Sequence, residues 1–255
     1  MDRDDVEVGH ILSRRKILAL LGASGIAALA GCKPSREVSD VSVASGNGLP
    51  SCIVRPEQTE GPYFVDARLN RSDIRSDPAN GAVKAGTPLQ LAIVVSRFGS
   101  GNAWACTPLA GAHVDIWQCD AAGVYSGVRD PSFDTTGQQF LRGYQLTDAN
   151  GTARFTTIYP GWYRGRTVHI HFKVHTAPSA ARGQEFTSQI YFDDALTDRV
   201  HAQEPYASMG RRTVRNEGDG IFRRNGDQLM LAVREEGQGY SGTFHLGFQT
   251  PELRR

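Results

Sequence analysis

The alternation of apolar and polar residues along the chain predicts short β-strands. Seven runs with this pattern follow one another from residue 89 onward, separated by turn sequences such as DANG at 148–151. The predicted strands cover residues 89–96, 112–119, 151–158, 167–174, 187–192, 228–234 and 242–248, and a single short helix is predicted at 193–203. Many short strands with little helix are typical of an all-β fold, here an antiparallel β-sandwich with long loops.

The N-terminal segment has a different pattern. Arg14 and Arg15 precede an apolar run at 17–29 that is shorter than a typical membrane-spanning helix, which predicts a twin-arginine export signal over residues 1–31. The sequence LAGC at 29–32 resembles a bacterial lipobox, in which cleavage would leave Cys32 carrying lipid. An ordinary signal peptide and an uncleaved anchor are the alternatives. We expect an exported protein, periplasmic or at the cell surface, attached to the membrane only through lipid on Cys32.

Composition distinguishes a predicted tether from a predicted domain, and the charge of the chain indicates which class of partner to expect. Residues 32–51 are rich in Ser, Gly and Pro without an apolar period, which predicts a flexible tether, and the domain then covers residues 52–255. The chain carries 28 basic and 27 acidic residues, a formal net charge of +1, with no basic block. A nucleic-acid partner would require clustered positive charge, so we expect a small-molecule substrate and no nucleic acid.

Three cysteines lie outside the predicted signal, and an oxidising compartment would allow them to form disulfides. Cys106 and Cys119 flank a hairpin-like stretch whose ends could meet, so we predict a bridge between them and leave Cys52 unpaired. Three buried thiols are the alternative.

A pair of histidines, His169 and His171, flanks one isoleucine in the predicted strand 167–174. Because side chains two apart on a strand point the same way, both could bind one metal ion, although strand histidines are also often structural. His175 has the same parity, so a three-histidine zinc or copper site is a second hypothesis. Tyr125 and Tyr163 lie in turns beside strands, where tyrosines are usually structural.

A set of longer motifs occurs in one order between residues 59 and 192. They are TEGPYF at 59–64, PLAGAHVDIWQCDAAGVYSG at 108–127, FLRGYQLTDANGTARFTTIYPGWY at 140–163, RTVHIHF at 166–172 and SQIYF at 188–192. Together they resemble the intradiol ring-cleavage dioxygenases, in which two tyrosinates and two histidines hold a ferric ion. The resemblance implies Fe(3+) as the cofactor and Tyr125, Tyr163, His169 and His171 as its ligands. Phenolate, a hard anionic oxygen donor, suits Fe(III) rather than Fe(II).

The same resemblance implies a reaction and further site residues. Family members insert both atoms of O2 into a catechol-type aromatic and release a cis,cis-muconate. Tyr163 matches the tyrosine displaced by catechol, which also serves as a base. Arg166 matches an arginine beside the ring, Gln189 a glutamine near the oxygen pocket, and Tyr63 lies in a segment that lines the substrate pocket. A surface arginine and a structural amide are the alternatives for Arg166 and Gln189, and a turn-and-packing role of Gly61 and Pro62 is the alternative for the segment of Tyr63.

Three hypotheses follow from the sequence. We favour a ferric intradiol dioxygenase whose partners are a small aromatic diol and O2. The second is the three-histidine metal site, and the third is a transthyretin-like β-sandwich binding module in which the histidines have no catalytic role. Neither the particular catechol nor the number of subunits can be inferred from these motifs.

Overall fold

A computed structural model of the protein describes residues 52–98, 106–176 and 183–249. The predicted signal and tether at 1–51 lie outside the described residues. In chain order the strands are β1 (Pro88–Phe98), β2 (Thr107–Pro108), β3 (His113–Trp117), β4 (Arg129–Asp130), β5 (Phe133–Asp134), β6 (Arg142–Leu146), β7 (Thr152–Ile158), β8 (His169–His175), β9 (Glu185–Tyr191), β10 (Val233–Glu236) and β11 (Gly239–Gln249). One α-helix, α1 (Asp194–His201), follows β9, and short 3-10 helices form at Ala207–Met209, Asn216–Gly218 and Gly226–Leu229.

Two sheets make up the sandwich. In the first sheet, β1 pairs with β11 along one edge and with β7 and β2 along the other. Strand β10 pairs with the far side of β11. The second has the order β6-β3-β8-β9 with every pair antiparallel. The predicted sandwich is confirmed, but one pairing differs: β1 and β11 are parallel over ten residue pairs. Parallel strands need a long connection, and here most of the domain connects them.

The core lies between the sheets and determines which face carries the histidines. On β1, Leu91 and Ile93 are buried, while Ala92 between them is more exposed. On β8, Ile170 and Phe172 join the same apolar cluster. Because side chains alternate along a strand, the histidines of β8 point to the outer face of the second sheet, away from this core.

Six of the seven predicted strands are present, with ends that differ by up to three residues, and α1 confirms the predicted helix. The strand predicted at 228–234 is wrong. Its first residues form the 3-10 helix Gly226–Leu229, and the Leu231 backbone N–H then donates to the Tyr191 carbonyl of β9, before β10 begins in the other sheet. The segment crosses from one sheet to the other. It is therefore as apolar as a buried strand, but it does not pair with a neighbouring strand along its length. Strand β6 was not predicted, because its residues RGYQL do not alternate between apolar and polar.

The predicted Cys106–Cys119 bridge is wrong as well. Cys106 is bonded to Cys52, and Cys119 is a buried thiol with its Sγ 3.5 Å from the Gly161 carbonyl oxygen. The stretch between Cys106 and Cys119 is not a hairpin, because β2 pairs within the first sheet and β3 within the second. The two cysteines therefore flank a crossover and do not meet.

None of the helices in the described ranges is long and apolar enough to span a membrane.

Candidate active site

Four donor atoms from three parts of the chain converge on the outer face of β8. The Nε2 atoms of His169 and His171 lie 3.0 Å apart. The hydroxyl oxygen of Tyr163 lies 3.3 Å from His169 Nε2, and that of Tyr125 lies 3.5 Å from the same nitrogen. Ligands that share one metal ion through bonds of about 2 Å lie about 3 Å from one another. The other three predicted ligands are therefore each about as close to His169 Nε2 as a shared metal ion requires.

The two tyrosines are carried by loops whose backbones pack against each other. Gly123 lies just before Tyr125 and has a φ of +77°, and a Cβ at this position would lie 2.3 Å from the Trp162 carbonyl oxygen. Gly161, just before Trp162 and Tyr163, has equally little room, since a Cβ there would lie 2.3 Å from the Asp120 carbonyl oxygen. Only glycine permits this approach. The motifs AAGVY and PGWY thus bring the two hydroxyls together through their glycines.

The imidazoles of His169 and His171 are held by different contacts. His169 Nδ1 lies 2.6 Å from the Thr167 carbonyl oxygen and donates its proton there, which leaves the lone pair of Nε2 directed at the other donors. The ring of His171 stacks on Trp117, with centroids 5.0 Å apart and planes 5° from parallel. Burial, assisted by the nearby Arg166 charge, lowers the pKa of both histidines well below the ordinary value. Both are therefore neutral, as metal ligands must be.

The phenol groups respond to burial in the opposite direction. Burial raises the pKa of Tyr163 to about 12, although Arg166 opposes the shift, and it raises the pKa of Tyr125 well above the usual value. Both tyrosines are therefore neutral unless a strong positive charge adjoins them. A metal cation supplies such a charge, and two phenolates with two neutral imidazoles form a donor set that suits Fe(III). The residues present fit the ferric ion that the sequence predicts.

Arg166 and Gln189 lie together beside the donors. The Arg166 side chain is 14% exposed, which rules out the surface arginine considered above. Its Nε donates to Asp219 Oδ2 over 2.9 Å, and its Nη2 donates to Gln189 Oε1. Gln189 is fully buried on β9, directly opposite His171, and its Nε2 donates to the Thr59 carbonyl oxygen. The predicted arginine and glutamine therefore form one hydrogen-bonded unit.

Tyr63 covers one side of the donor cluster. Its ring stacks on Tyr125, with centroids 4.6 Å apart, and it meets the ring of Tyr163 edge-on at 6.3 Å. The Tyr63 hydroxyl donates to Asp130 Oδ2 over 2.7 Å, on the small β4–β5 hairpin. The Tyr63 ring thus packs against both tyrosines of the cluster, and its contact with a substrate stays a prediction.

His175 does not join the site. Two residues before it on the same face lies Lys173, which is buried and ion-paired with Glu60 and Glu185. His175 is about 13 Å beyond His171 along the strand, and its Nδ1 lies 3.5 Å from Glu185 Oε2. Over the described ranges, no group of three or more His, Cys, Asp or Glu side chains is placed to hold a metal. The geometry gives no support to the three-histidine hypothesis.

Sequence reasoning missed several residues that shape the site. Trp117 and Gly61 both contact His171, since a Cβ at Gly61 would lie 3.2 Å from His171 Cε1. Alternation along β3 places Trp117 on the face opposite to the core residues Val114 and Ile116, which the sequence could have indicated. In the structure it pairs in register with His171. Asp219 lies in an ordinary-looking turn sequence, EGDGI at 217–221, which carries no signal that separates it from other turn aspartates.

Comparison with known proteins agrees with this geometry. A protein-family model with the description dioxygenase matches residues 59–217, which are 159 of the 255 residues. This chain belongs to the intradiol ring-cleavage dioxygenase family. It is 35% identical over 148 residues to the protocatechuate 3,4-dioxygenase beta chain of Burkholderia cepacia, a match that covers 53% of this chain and 60% of the relative. It is 36% identical over 86 residues to catechol 1,2-dioxygenase of Candida albicans, covering 26% of this chain and 27% of the relative. The matches thus span 60% or less of these relatives.

Solved structures resemble the fold over a longer stretch. An intradiol ring-cleavage dioxygenase from Tetranychus urticae superimposes with a TM-score of 0.65 and 32% identity, covering 80% of this chain and 97% of that chain. The dioxygenase domain of a dioxygenase carbohydrate-binding protein fusion from Streptomyces sp. SirexAA-E superimposes with a TM-score of 0.52 and 32% identity, covering 78% and 98%. The β-sandwich of this intradiol dioxygenase family member is therefore shared with family members of known structure.

Proposed function

We propose that the protein is a non-haem Fe(III)-dependent intradiol dioxygenase that inserts both atoms of O2 into a catechol-type aromatic and releases a cis,cis-muconate. The observation that carries the proposal is the convergence of Tyr125, Tyr163 and His171 within 3.5 Å of His169 Nε2. Two phenol oxygens at a metal centre distinguish a ferric site from the sites of two histidines and one carboxylate that hold Fe(II). Membership of the family supports the same reaction.

The four ligands would differ in their roles. A ferric ion held by these four residues would supply a positive charge that makes the hydroxyl protons of a catechol more acidic. Tyr125 is fully buried beneath Tyr63, so it would remain a permanent ligand. Tyr163 is only partly buried, on the loop that follows Trp162, and in its phenolate form it would accept a proton from the catechol as a general base, becoming a neutral phenol.

Arg166 would stabilise charge on the substrate ring. Its guanidinium is largely withdrawn from water beside the donor cluster, where a fixed positive charge acts more strongly than it would in solvent. Negative charge that develops on the ring carbon attacked by O2 would be stabilised by this group. Gln189 would hold the guanidinium in place, and Tyr63 would form an aromatic wall against which the ring of the substrate lies.

Oxygen uptake tests the proposed reaction. We expect the purified, iron-loaded protein to be red, because tyrosinate bound to Fe(III) absorbs visible light, and to consume O2 with at least one member of a catechol panel. Consumption should stop when the iron is removed and return when Fe(III) is restored. A colourless protein that binds zinc or copper instead of iron would contradict the proposal, and so would an iron-loaded protein that consumes no O2 with any catechol.

The predicted export is a second part of the proposal. The Cys52–Cys106 disulfide supports an oxidising compartment, since such bridges are rare in reducing cytosol. We propose that the twin-arginine signal directs the folded protein out of the cytoplasm and that Cys32 carries the lipid. Changing Arg14→Lys and Arg15→Lys together should leave the protein in the cytoplasmic fraction. Normal export of this variant would show that another signal acts.

A further inference from the structure

We infer that Asp219 is a positioning residue, which fixes the orientation of the Arg166 guanidinium at the donor cluster. The inference rests on the proposed function, because it concerns how Arg166 meets the substrate. Asp219 lies two residues beyond the stretch matched to the family, residues 59–217. It was not among the residues that the sequence predicted.

The Asp219 carboxylate is rigidly held. Its side chain is 1% exposed and accepts four hydrogen bonds. Oδ2 accepts from Arg166 Nε over 2.9 Å and from the Thr167 backbone N–H over 2.8 Å, while Oδ1 accepts from the backbone N–H groups of Ile221 and Phe222 over 2.7 and 3.2 Å. A carboxylate in two such pairs of bonds has little freedom to rotate. The position of Arg166 Nε is therefore determined by the fold of the 219–222 turn.

The turn itself is attached to the second sheet. Thr167 Oγ1 donates to Asn216 Oδ1 over 2.7 Å, and Asn216 Nδ2 donates to the Phe192 carbonyl oxygen over 2.9 Å, just after β9. The segment that carries Asp219 is thus bonded both to the start of the histidine strand and to the end of its neighbour. Movement of the turn would move Arg166 relative to the metal ligands.

Two bonds fix the plane of the guanidinium. Asp219 holds Nε, and Gln189 Oε1 holds Nη2; Gln189 is in turn held by the Thr59 carbonyl and lies 3.0 Å from the Tyr191 hydroxyl. Since a guanidinium is planar, two fixed nitrogens also determine where the third one points.

Of the two side chains that accept hydrogen bonds from Arg166, Asp219 is negatively charged and Gln189 is neutral. Within the described ranges it is the one carboxylate that is ion-paired with Arg166. A buried guanidinium without an anionic partner is costly, and a site in that state would favour a displaced arginine or a bound anion. Asp219 thus holds the Arg166 guanidinium in place before the substrate arrives.

A double-mutant cycle in the full-length iron-loaded protein tests this role. Arg166→Gln should lower kcat strongly, and Asp219→Asn alone should lower it by about 10- to 100-fold, less than loss of a group that stabilises the transition state directly. The combined variant should be no slower than Arg166→Gln, because Asp219 acts through Arg166. The iron content and the visible tyrosinate band should be retained in all three variants, since neither residue is a ligand.

Two further variants serve as controls. Asp198→Asn removes a carboxylate from Arg212, another buried arginine, and should leave kcat unchanged. Asp219→Glu keeps the charge but displaces it by one methylene, so it should lower kcat without loss of iron, and it replaces Asp219→Asn if that variant does not fold.

Several outcomes would overturn the inference. Independent losses in kcat for Asp219→Asn and Arg166→Gln would give Asp219 a role of its own, and an unchanged kcat in both Asp219 variants would give it none. If the wild-type protein cleaves no catechol, the proposed function fails separately. The same cycle is then measured on the anaerobic Kd for catechol, read from the shift of the visible band, where additive effects or no effect would again refute the positioning role.

Discussion

Replacing Cys52 by serine removes the only covalent cross-link that the described residues contain. The bridge joins Cys52, where the described domain begins, to Cys106, just before β2. The remaining local contacts should survive the substitution, because the Gly247 backbone N–H still donates to the Ile53 carbonyl over 2.7 Å. The loss of stability should therefore come mainly from the loss of the cross-link.

The size of the effect follows from the separation of the two cysteines. They are 54 residues apart, and the loss of chain entropy on closing a loop of that length stabilises the folded state by about 4 kcal/mol at 25 °C. Domains of this size are typically stable by about 5–15 kcal/mol. We therefore expect Cys52→Ser to lower the free energy of unfolding by about 4 kcal/mol, which corresponds to a fall in Tm of about 10 °C.

Denaturant unfolding with and without dithiothreitol measures this effect. At equal iron loading, reduction should bring wild type down to the level of Cys52→Ser and leave the variant unchanged. Cys119→Ala is the control, since it removes a thiol that is not cross-linked and should leave the response to dithiothreitol intact. Equal stability of wild type and Cys52→Ser would refute the pairing. A matching loss in Cys106→Ser and Cys119→Ser, without one in Cys52→Ser, would instead restore the pairing predicted from sequence.

Three further predictions concern the proposed metal site. Tyr163→Phe should keep most of its iron through the remaining ligands but lose about 100-fold or more in kcat, whereas Tyr125→Phe should lose iron. Metal analysis and steady-state kinetics measure the two effects. Unchanged turnover in Tyr163→Phe would show that Tyr163 is not the general base. His171→Ala should lose both iron and colour while His175→Ala keeps them, and the reverse result would favour the three-histidine site. Gly61→Ala should destabilise the protein by about 1–2 kcal/mol, because alanine is strained at a φ of +71° and its Cβ would lie 3.2 Å from His171. The variant should also lose iron more readily to a competing chelator. Stability and iron retention equal to those of wild type would contradict the close approach of Gly61 to His171.

The sandwich and its histidine pair were predictable because they depend on local periodicity. Alternation places Ile170 and Phe172 in the core and therefore His169 and His171 on the outer face, whatever the rest of the fold does. Their partnership with Tyr125 was not visible in any local pattern. It came from the order of the motifs and their resemblance to a family, since the residues are more than forty positions apart and meet only in the folded chain.

Three of the failures share one physical cause. The Cys52–Cys106 bridge and the β1–β11 pairing both join segments that are far apart in sequence, and neither leaves a periodic signal. Asp219 is a third case, because its contact with Arg166 spans 53 residues and its sequence context is that of an ordinary turn. Positions of this kind are determined by the topology of the sheets, which the strand pattern alone does not specify.

Mass analysis of the product formed under 18O2 tests the central claim most directly. The iron-loaded protein is given a catechol that supports oxygen uptake, and the ring-opened product is examined for the label. We predict a cis,cis-muconate that contains both atoms of one O2 molecule, formed between the two hydroxylated carbons. A product that carries one labelled oxygen or none, or a ring opened beside the diol, would contradict an intradiol dioxygenase built on Tyr125, Tyr163, His169 and His171.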